Sequence, residues 1–125
     1  MNFIVALLLK HLESEKDSFY CMVHIMQKHD WRGCFDMQTT KLFSLLEFIE
    51  NVLETAWPTM FRHMMEEIEI SLFPAFQSTI MTVFIYDCPE AVATKIFDVF
   101  LLDGEQVIIT LLLKMLEKCE DVILQ

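Results

Sequence analysis

Helix-stopping and turn-making residues are scarce in this chain. Gly33 and Gly104 are its only glycines in 125 residues, and Pro58, Pro74 and Pro89 its only prolines. That glycine content is far below the usual ~7%, and an all-β architecture needs a turn every few residues, most readily made by glycine. The chain therefore has to run in helices joined by short connections. Apolar residues make up 54% of it, above the roughly 45–50% of ordinary globular domains. A fold of this length buries about two thirds of its unfolded surface, so residues 1–125 are expected to form one all-α domain with a core that needs neither disulfides nor metals.

Hydrophobic period and the few stop signals predict about seven helices. The first covers about Asn2–Leu12 and is apolar on nearly every side, so it is expected to be enclosed all round. The second runs from about Asp17, read as its cap, to His29, with Phe19, Met22, Val23 and Met26 as the inward stripe. Asp30 to Cys34 reads as a turn. The third and longest begins after Asp36 and reaches about Thr55. Its Leu42, Leu45, Leu46, Ile49, Val52 and Leu53 follow the i, i+3, i+4, i+7 pattern, and Glu47, Glu50 and Glu54 line another face. Pro58 suits the first turn of a fourth helix through Arg62, His63 and Met64, and Pro74 is expected to delay the fifth, to about Ala75–Tyr86. Asp87-Cys88-Pro89-Glu90 reads as the start of a sixth helix to about Leu102, with Val92, Ile96, Val99 and Phe100 buried and Gly104 as its stop. The seventh spans about Glu105–Lys118, and Cys119–Gln125 continues it or adds a last turn.

Charge narrows the partners. Nine Lys and Arg stand against nineteen Asp and Glu, a net charge of −10. Nucleic acid and anionic membranes both require a basic face, so neither is an expected ligand. Residues 1–62 carry a net −2 and residues 63–125 a net −8, so a basic partner is expected to prefer the second half. Cys21, Cys34, Cys88 and Cys119 form no Cys-x-x-Cys pair and sit in apolar stretches. They read as reduced, buried thiols of a cytosolic protein. No run approaches the ~18 apolar residues of a membrane span, and the Phe3–Leu9 run lacks the basic flank and small-residue cleavage site of a signal peptide.

The chain was also read for catalytic patterns. None of His11, His24, His29 and His63 has a glutamate three residues before it, so the Glu-x-x-His pairs of a di-iron bundle are missing. Cys21, His24, His29 and Cys34 do not have the spacing of a zinc site and read as buried thiols and ordinary helix histidines. There is no Gly-x-Ser-x-Gly elbow and no glycine-rich phosphate loop. Glu66, Glu67 and Glu69 read as a solvated face rather than as acid–base equipment. Composition and spacing thus point to an acidic helical domain with no chemistry and no cofactor of its own.

Several stretches, in order, resemble the C-terminal lobe of TBC domains, the GTPase-activating domains that act on Rab-type small GTPases. Met1-Asn2-Phe3-Ile4 is similar to the family's Met-Asn segment, and Asp17-Ser18-Phe19-Tyr20 to its Asp-x-Phe-Trp helix. Pro58 with His63-Met64 is similar to its Pro-x-Leu-x-x-His-Leu stretch. Thr82-Val83-Phe84 leading to Pro89, then Ile96-Phe97-Asp98-Val99-Phe100-Leu101 and Gly104, is similar to its stretch ending Ile-Trp-Asp-x-Phe-Leu-x-x-Gly. The resemblance covers essentially the whole chain and implies a compact array of about seven helices. It marks Asn2, Asp17, Phe19, Pro58, His63, Pro89, Asp98 and Gly104 as family-motif positions with structural roles. The departures are Tyr20 and Phe97 where tryptophan is common, and Thr79 within Ala75–Ile80, where the family usually has an aromatic stretch.

In the family, catalysis resembles GAP-assisted phosphoryl transfer, with an arginine finger and a glutamine. The resemblance places both in the upstream lobe, which is expected to lie outside this chain. Arg32 and Arg62 are the only arginines here, and neither lies in a finger-like segment, so no catalytic role passes to any residue. The expected partners are a Rab-type GTPase and the upstream lobe, or another chain, covering the apolar first helix. The expected location is the cytoplasm, peripheral at endomembranes or within a large assembly. The first reading is the supporting lobe of a Rab GAP acting in vesicle trafficking. The alternative is a catalytically inactive TBC-like structural or adaptor subunit.

Overall fold

The apolar stripe of residues 42–53 is the hub of the fold. The computed structural model describes all residues, Met1–Gln125. The chain is all-α: α1 (Asn2–Leu12), α2 (Glu15–Lys28), a 3-10 turn (Trp31–Cys34), α3 (Thr40–Ala56), α4 (Pro58–Arg62), a π turn (His63–Glu67), α5 (Leu72–Met81), α6 (Glu90–Asp103), α7 (Gln106–Lys118) and α8 (Glu120–Ile123). Leu42, Leu45, Leu46, Ile49 and Leu53 of α3 are buried. Around them pack the 3-10 turn, α4, α5 and α7, while α1 packs on α2 and α6 on α7. Trp31, wholly buried, meets Phe100 edge-on with ring centroids 4.9 Å apart, which joins the 3-10 turn to α6. Truncating any one of the five α3 side chains to alanine removes about 2–5 kcal/mol of stability, because a close-packed interior refills the cavity only in part.

Helix starts follow local hydrogen-bonding chemistry, with some changes from expectation. Ser14, not Asp17, caps α2: its Oγ accepts a hydrogen bond from the Asp17 amide at 3.2 Å. Asp17 instead joins Glu15 in the first turn, where negative charge suits the positive end of the helix dipole. Asp36 does not open α3 directly. Its carboxylate accepts from the Gln38 amide and the Thr40 hydroxyl, both at 3.2 Å, and α3 starts after that turn. Pro58 begins α4 as expected. Pro74, expected to delay α5, lies within its first turn, where its missing N–H leaves no intrahelical bond unmade.

Two expected inward stripes are partly turned, with Met22, Met26 and Ile96 half-buried against the core, and the helix expected to be enclosed is not. On α2 the buried positions are Ser18 and Ile25, and Phe19 is 65% exposed. On α6 they are Ala93, Phe97 and Phe100, whereas Val92 and Val99 are exposed. On α1, Ile4, Leu7 and Leu8 face inward while Phe3, Leu9 and Leu12 stay exposed, so the helix is not enclosed. Each of these helices carries apolar residues on more than one face, so tertiary contact chose between them. The fifth helix stops at Met81 instead of Tyr86. Val83 and Phe84 then take φ of 50° and 63°, unusual for side-chain-bearing residues, and both are buried. The kink is held by the Phe84 amide on the Thr79 carbonyl at 2.9 Å and by the Thr79 hydroxyl donating to Asp87 at 2.5 Å.

With so little glycine, six non-glycine residues adopt positive φ, and the two glycines stand where a side chain would clash or strain the backbone. At Gly33 a Cβ would lie 2.8 Å from that of Lys41. Gly104 ends α6 with φ 74° and ψ −148°, its amide on the Phe100 carbonyl at 2.8 Å, and a Cβ there would meet His29 Nδ1 at 3.2 Å. That conformation is almost exclusive to glycine and costs other residues about 1–3 kcal/mol. Gly104→Ala is expected to lower the urea midpoint by a corresponding amount. An unchanged midpoint would contradict this account of the stop.

All four cysteines are free, but they are not all buried: Cys119 is exposed. Cys34 is wholly buried beside Trp31, and burial pushes its thiol up to about 12 from 9.0. Asp30, Glu105 and Asp36 add to the rise and Lys41 opposes it. Its folded pKa is the higher one, so its contribution to stability is full below about 9 and is lost as pH rises toward about 12. Urea unfolding between pH 8 and 11 should therefore show a steeper alkaline decline for the native protein than for Cys34→Ala. Parallel declines would rule out a protonated, buried Cys34.

Candidate interaction surface

Asn2–Leu12 contains no acidic residue, and its only basic groups, Lys10 and His11, lie in the last turn. Such a helix has no polar side to give to water. Ile4, Leu7 and Leu8 are buried, with α1 packed on α2, and Met1, Phe3, Leu9 and Leu12 stay open. Phe3 reaches across to Tyr86, ring edge to ring face at 5.4 Å, and Tyr86 is itself 62% exposed. Val92 at the start of α6 is also exposed. Phe3 and Tyr86 thus form one apolar patch, while Leu9 and Leu12 lie open about 120° or more round the helix from Phe3.

Two hollows flank α1. One, of about 280 Å³, is lined by Phe3, Ala6 and Leu7 with Ile85, Cys88 and Ala93, and its polar rim is the Lys10–Glu90 ion pair at 2.5 Å. That ammonium, first by its hydrogen bond and then by its charge, holds the Glu90 carboxyl below the usual carboxylate range. The other, of about 210 Å³, lies between α1, α2 and α6 and is lined by Leu8, His11, Leu12, Cys21, Phe97 and Asp98 among others. Burial raises the Cys21 thiol, the opposite of what a nucleophile requires. Shallow apolar hollows beside an exposed apolar helix suit the anchoring side chains of another polypeptide surface.

The family-motif positions do not converge on one site. Asn2 is exposed at the start of α1, and Asp98 lies in the hollow on its far side. Asp17 and Phe19 are exposed on α2, with Phe19 over an open groove formed with Met22, Val23 and Met26. Pro58 starts α4, and His63 opens the π turn with Nδ1 2.5 Å from the Glu67 carboxylate. The Pro89 carbonyl accepts from the amides of Val92 and Ala93, each at 2.9 Å, and Gly104 ends the same helix. These are starts, stops and surface positions spread over the fold. Sequence reasoning did not single out Tyr86 as part of the open patch. The one available signal was the missing polar side of α1.

No helix is long and apolar enough to cross a membrane. The open apolar residues predict that the chain by itself binds a hydrophobic dye, and that Phe3→Ser with Leu9→Ser reduces the signal while unfolding stays cooperative. Undiminished dye binding in that variant would place the open apolar surface elsewhere.

Comparison with known proteins places the chain in a family. The Rab-GTPase-TBC domain model matches residues 1–124. The chain is 27% identical over its full 125 residues to the GTPase-activating protein GYP5 of Saccharomyces cerevisiae, covering 14% of that protein. It is 28% identical over 116 residues, 92% of the chain, to the human ecotropic viral integration site 5 protein homolog, covering 14% of it. It is also 28% identical over 124 residues, 98% of the chain, to the Drosophila melanogaster ecotropic viral integration site 5 ortholog, covering 15% of it. The chain thus spans about one seventh of the length of these relatives. No solved structure matches it. With its all-α array and a family match over 124 residues, the chain is a divergent member of the Rab-GTPase-TBC domain family.

Proposed function

We propose that residues 1–125 are the C-terminal, supporting lobe of a TBC-type GTPase-activating protein for Rab-family GTPases, and that the α1 face is where the finger-bearing upstream lobe packs. The observation that carries this reading is the open apolar side of α1 within a chain that the family model matches almost end to end. Burying Phe3, Leu9 and Leu12 against a second lobe removes apolar area from water at about 25 cal/mol per Å². The protein then acts in the cytoplasm and peripherally at endomembranes, with its GTPase as partner and no cofactor of its own.

No residue of this chain is assigned a transition-state role. Arg32 and Arg62, the only arginines, are exposed, and each shares a hollow with two acidic residues: Asp30 and Asp36 beside Arg32, Glu54 and Glu66 beside Arg62. An arginine finger is worth about 10³–10⁵ in rate, so the two cases separate cleanly. The intact protein is expected to accelerate GTP hydrolysis by at least one member of a GTP-loaded Rab panel. Arg32→Ala and Arg62→Ala are each expected to change that rate by less than about threefold, far below the loss of a finger. A drop of about 10³ in either variant would put a finger in this lobe, and no acceleration with any Rab would remove the GAP reading.

The adaptor reading draws on Thr79. Where the family usually has an aromatic stretch, this buried threonine donates its hydroxyl to Asp87, a local structural use. Tight, nucleotide-independent binding to a large assembly, with GTP-bound Rabs ignored, would favour that alternative.

A further inference from the structure

We propose that the side of α3 from Phe43 to Glu54, with the mixed polar and apolar groove at its C-terminal end, is a docking surface for a basic segment of a protein partner, one that carries arginine or lysine beside apolar residues. This is separate from the α1 face and does not depend on the GAP reading.

Positions 43, 47, 50 and 54 fall within about 60° of the helix circumference at ~100° per residue, and the stripe runs about 16 Å at 1.5 Å per residue. It begins at an aromatic step. Phe43 is 53% exposed, yet its ring stacks on Phe73 of α5 with centroids 4.8 Å apart and planes 17° from parallel. A ring backed in this way stays in place with its open side to solvent, ready for a guanidinium or an aliphatic stem. The stripe ends at a groove of about 330 Å³ with half-buried Phe61 and Met65 in its lining, beside Glu54, Glu66 and Arg62.

Charge decides the occupant. Between Lys41 and Lys95 the only basic residue is Arg62, against eight Asp and Glu. Glu47, Glu50, Glu54 and Glu66 take no part in any of the four ion pairs of the chain, which are Lys10–Glu90, Lys41–Glu105, His63–Glu67 and Lys114–Glu117. A merely solvated helix face commonly sets lysine or arginine four residues after glutamate. Here Asn51, Glu54 and Pro58 occupy those positions after Glu47, Glu50 and Glu54. Arg62 offsets part of the field at Glu54 and Glu66, and Glu47 and Glu50 keep theirs for an incoming cation, while the stacked ring with Phe61 and Met65 takes its apolar parts. Nucleic acid and anionic lipid are repelled by the same field.

The test uses a fluorescein-labelled amphipathic peptide of leucine and arginine, with arginine at every fourth position, followed by fluorescence anisotropy at near-physiological salt. Three proteins are compared: the native chain; a stripe variant with Glu47→Gln, Glu50→Gln and Glu54→Gln; and a charge-matched control with Glu15→Gln, Glu120→Gln and Asp121→Asn. Circular dichroism checks that all three are folded. The stripe variant is expected to weaken binding about tenfold and the control less than about twofold, because only charges within a Debye length of the docked peptide act on it. Phe43→Ala, with every charge kept, is expected to weaken binding about threefold through loss of the ring. Equal weakening in the two triple variants, or no binding to the native chain, overturns the proposal. An unaffected Phe43→Ala removes the aromatic step from it.

Discussion

Burial of one side of α3 is the constraint on which the remaining helices depend. Five of its side chains are removed from water, and the 3-10 turn, α4, α5 and α7 are the elements that cover them. Helices as short as α4 and α8, with five and four residues, are not stable in isolation, since nucleation consumes most of what so few hydrogen bonds return. They persist because the long helix and its neighbours offer apolar surface to lie on. Trp31 shows the same dependence: its four-residue 3-10 turn carries the largest wholly buried side chain of the fold, set against Phe100 of α6.

A core built this way has to end all but one of its helices without glycine. Gly104 is the only glycine at positive φ, and Glu13, Asp30, Thr39, Glu69, Val83 and Phe84 take left-handed conformations themselves. For Glu13 the cost is offset by its amide closing on the Leu9 carbonyl at 3.2 Å. For Val83 and Phe84 it is offset by burial of both side chains and by the Thr79–Asp87 hydrogen bond. The substitution that departs most from the family's usual aromatic stretch thus holds the most strained turn of the chain.

The surface divides by chemistry in a way the net charge alone conceals. The α1 side is apolar and carries one exposed ion pair, Lys10–Glu90, on the rim of its hollow. The α3 side is acidic, with the stacked Phe43–Phe73 pair at one end. Two faces of such different character suit two different neighbours, one recognised by burial and one by charge. Apolar contact is short-ranged and sets affinity, whereas a charged stripe acts over roughly 10 Å and steers association.

Amino-acid order alone determined the helical class, the family resemblance, the inward stripe of α3 and the stops at Pro58 and Gly104. In each case a local rule had one solution: polar residues marked the outer face of α3, and ring or left-handed backbone geometry marked the ends. The tertiary structure decided which sides of α1, α2 and α6 turn inward, where α5 breaks, and that Tyr86 meets Phe3 of α1 in one open patch. Phe19 on α2 and Val92 and Val99 on α6 follow a helical period as well as the residues that were buried. Periodicity cannot choose between two apolar stripes on one helix. That choice is made by the shape of the neighbouring helices, because only one rotation lets Ile25, Phe97 and Phe100 reach a close-packed core.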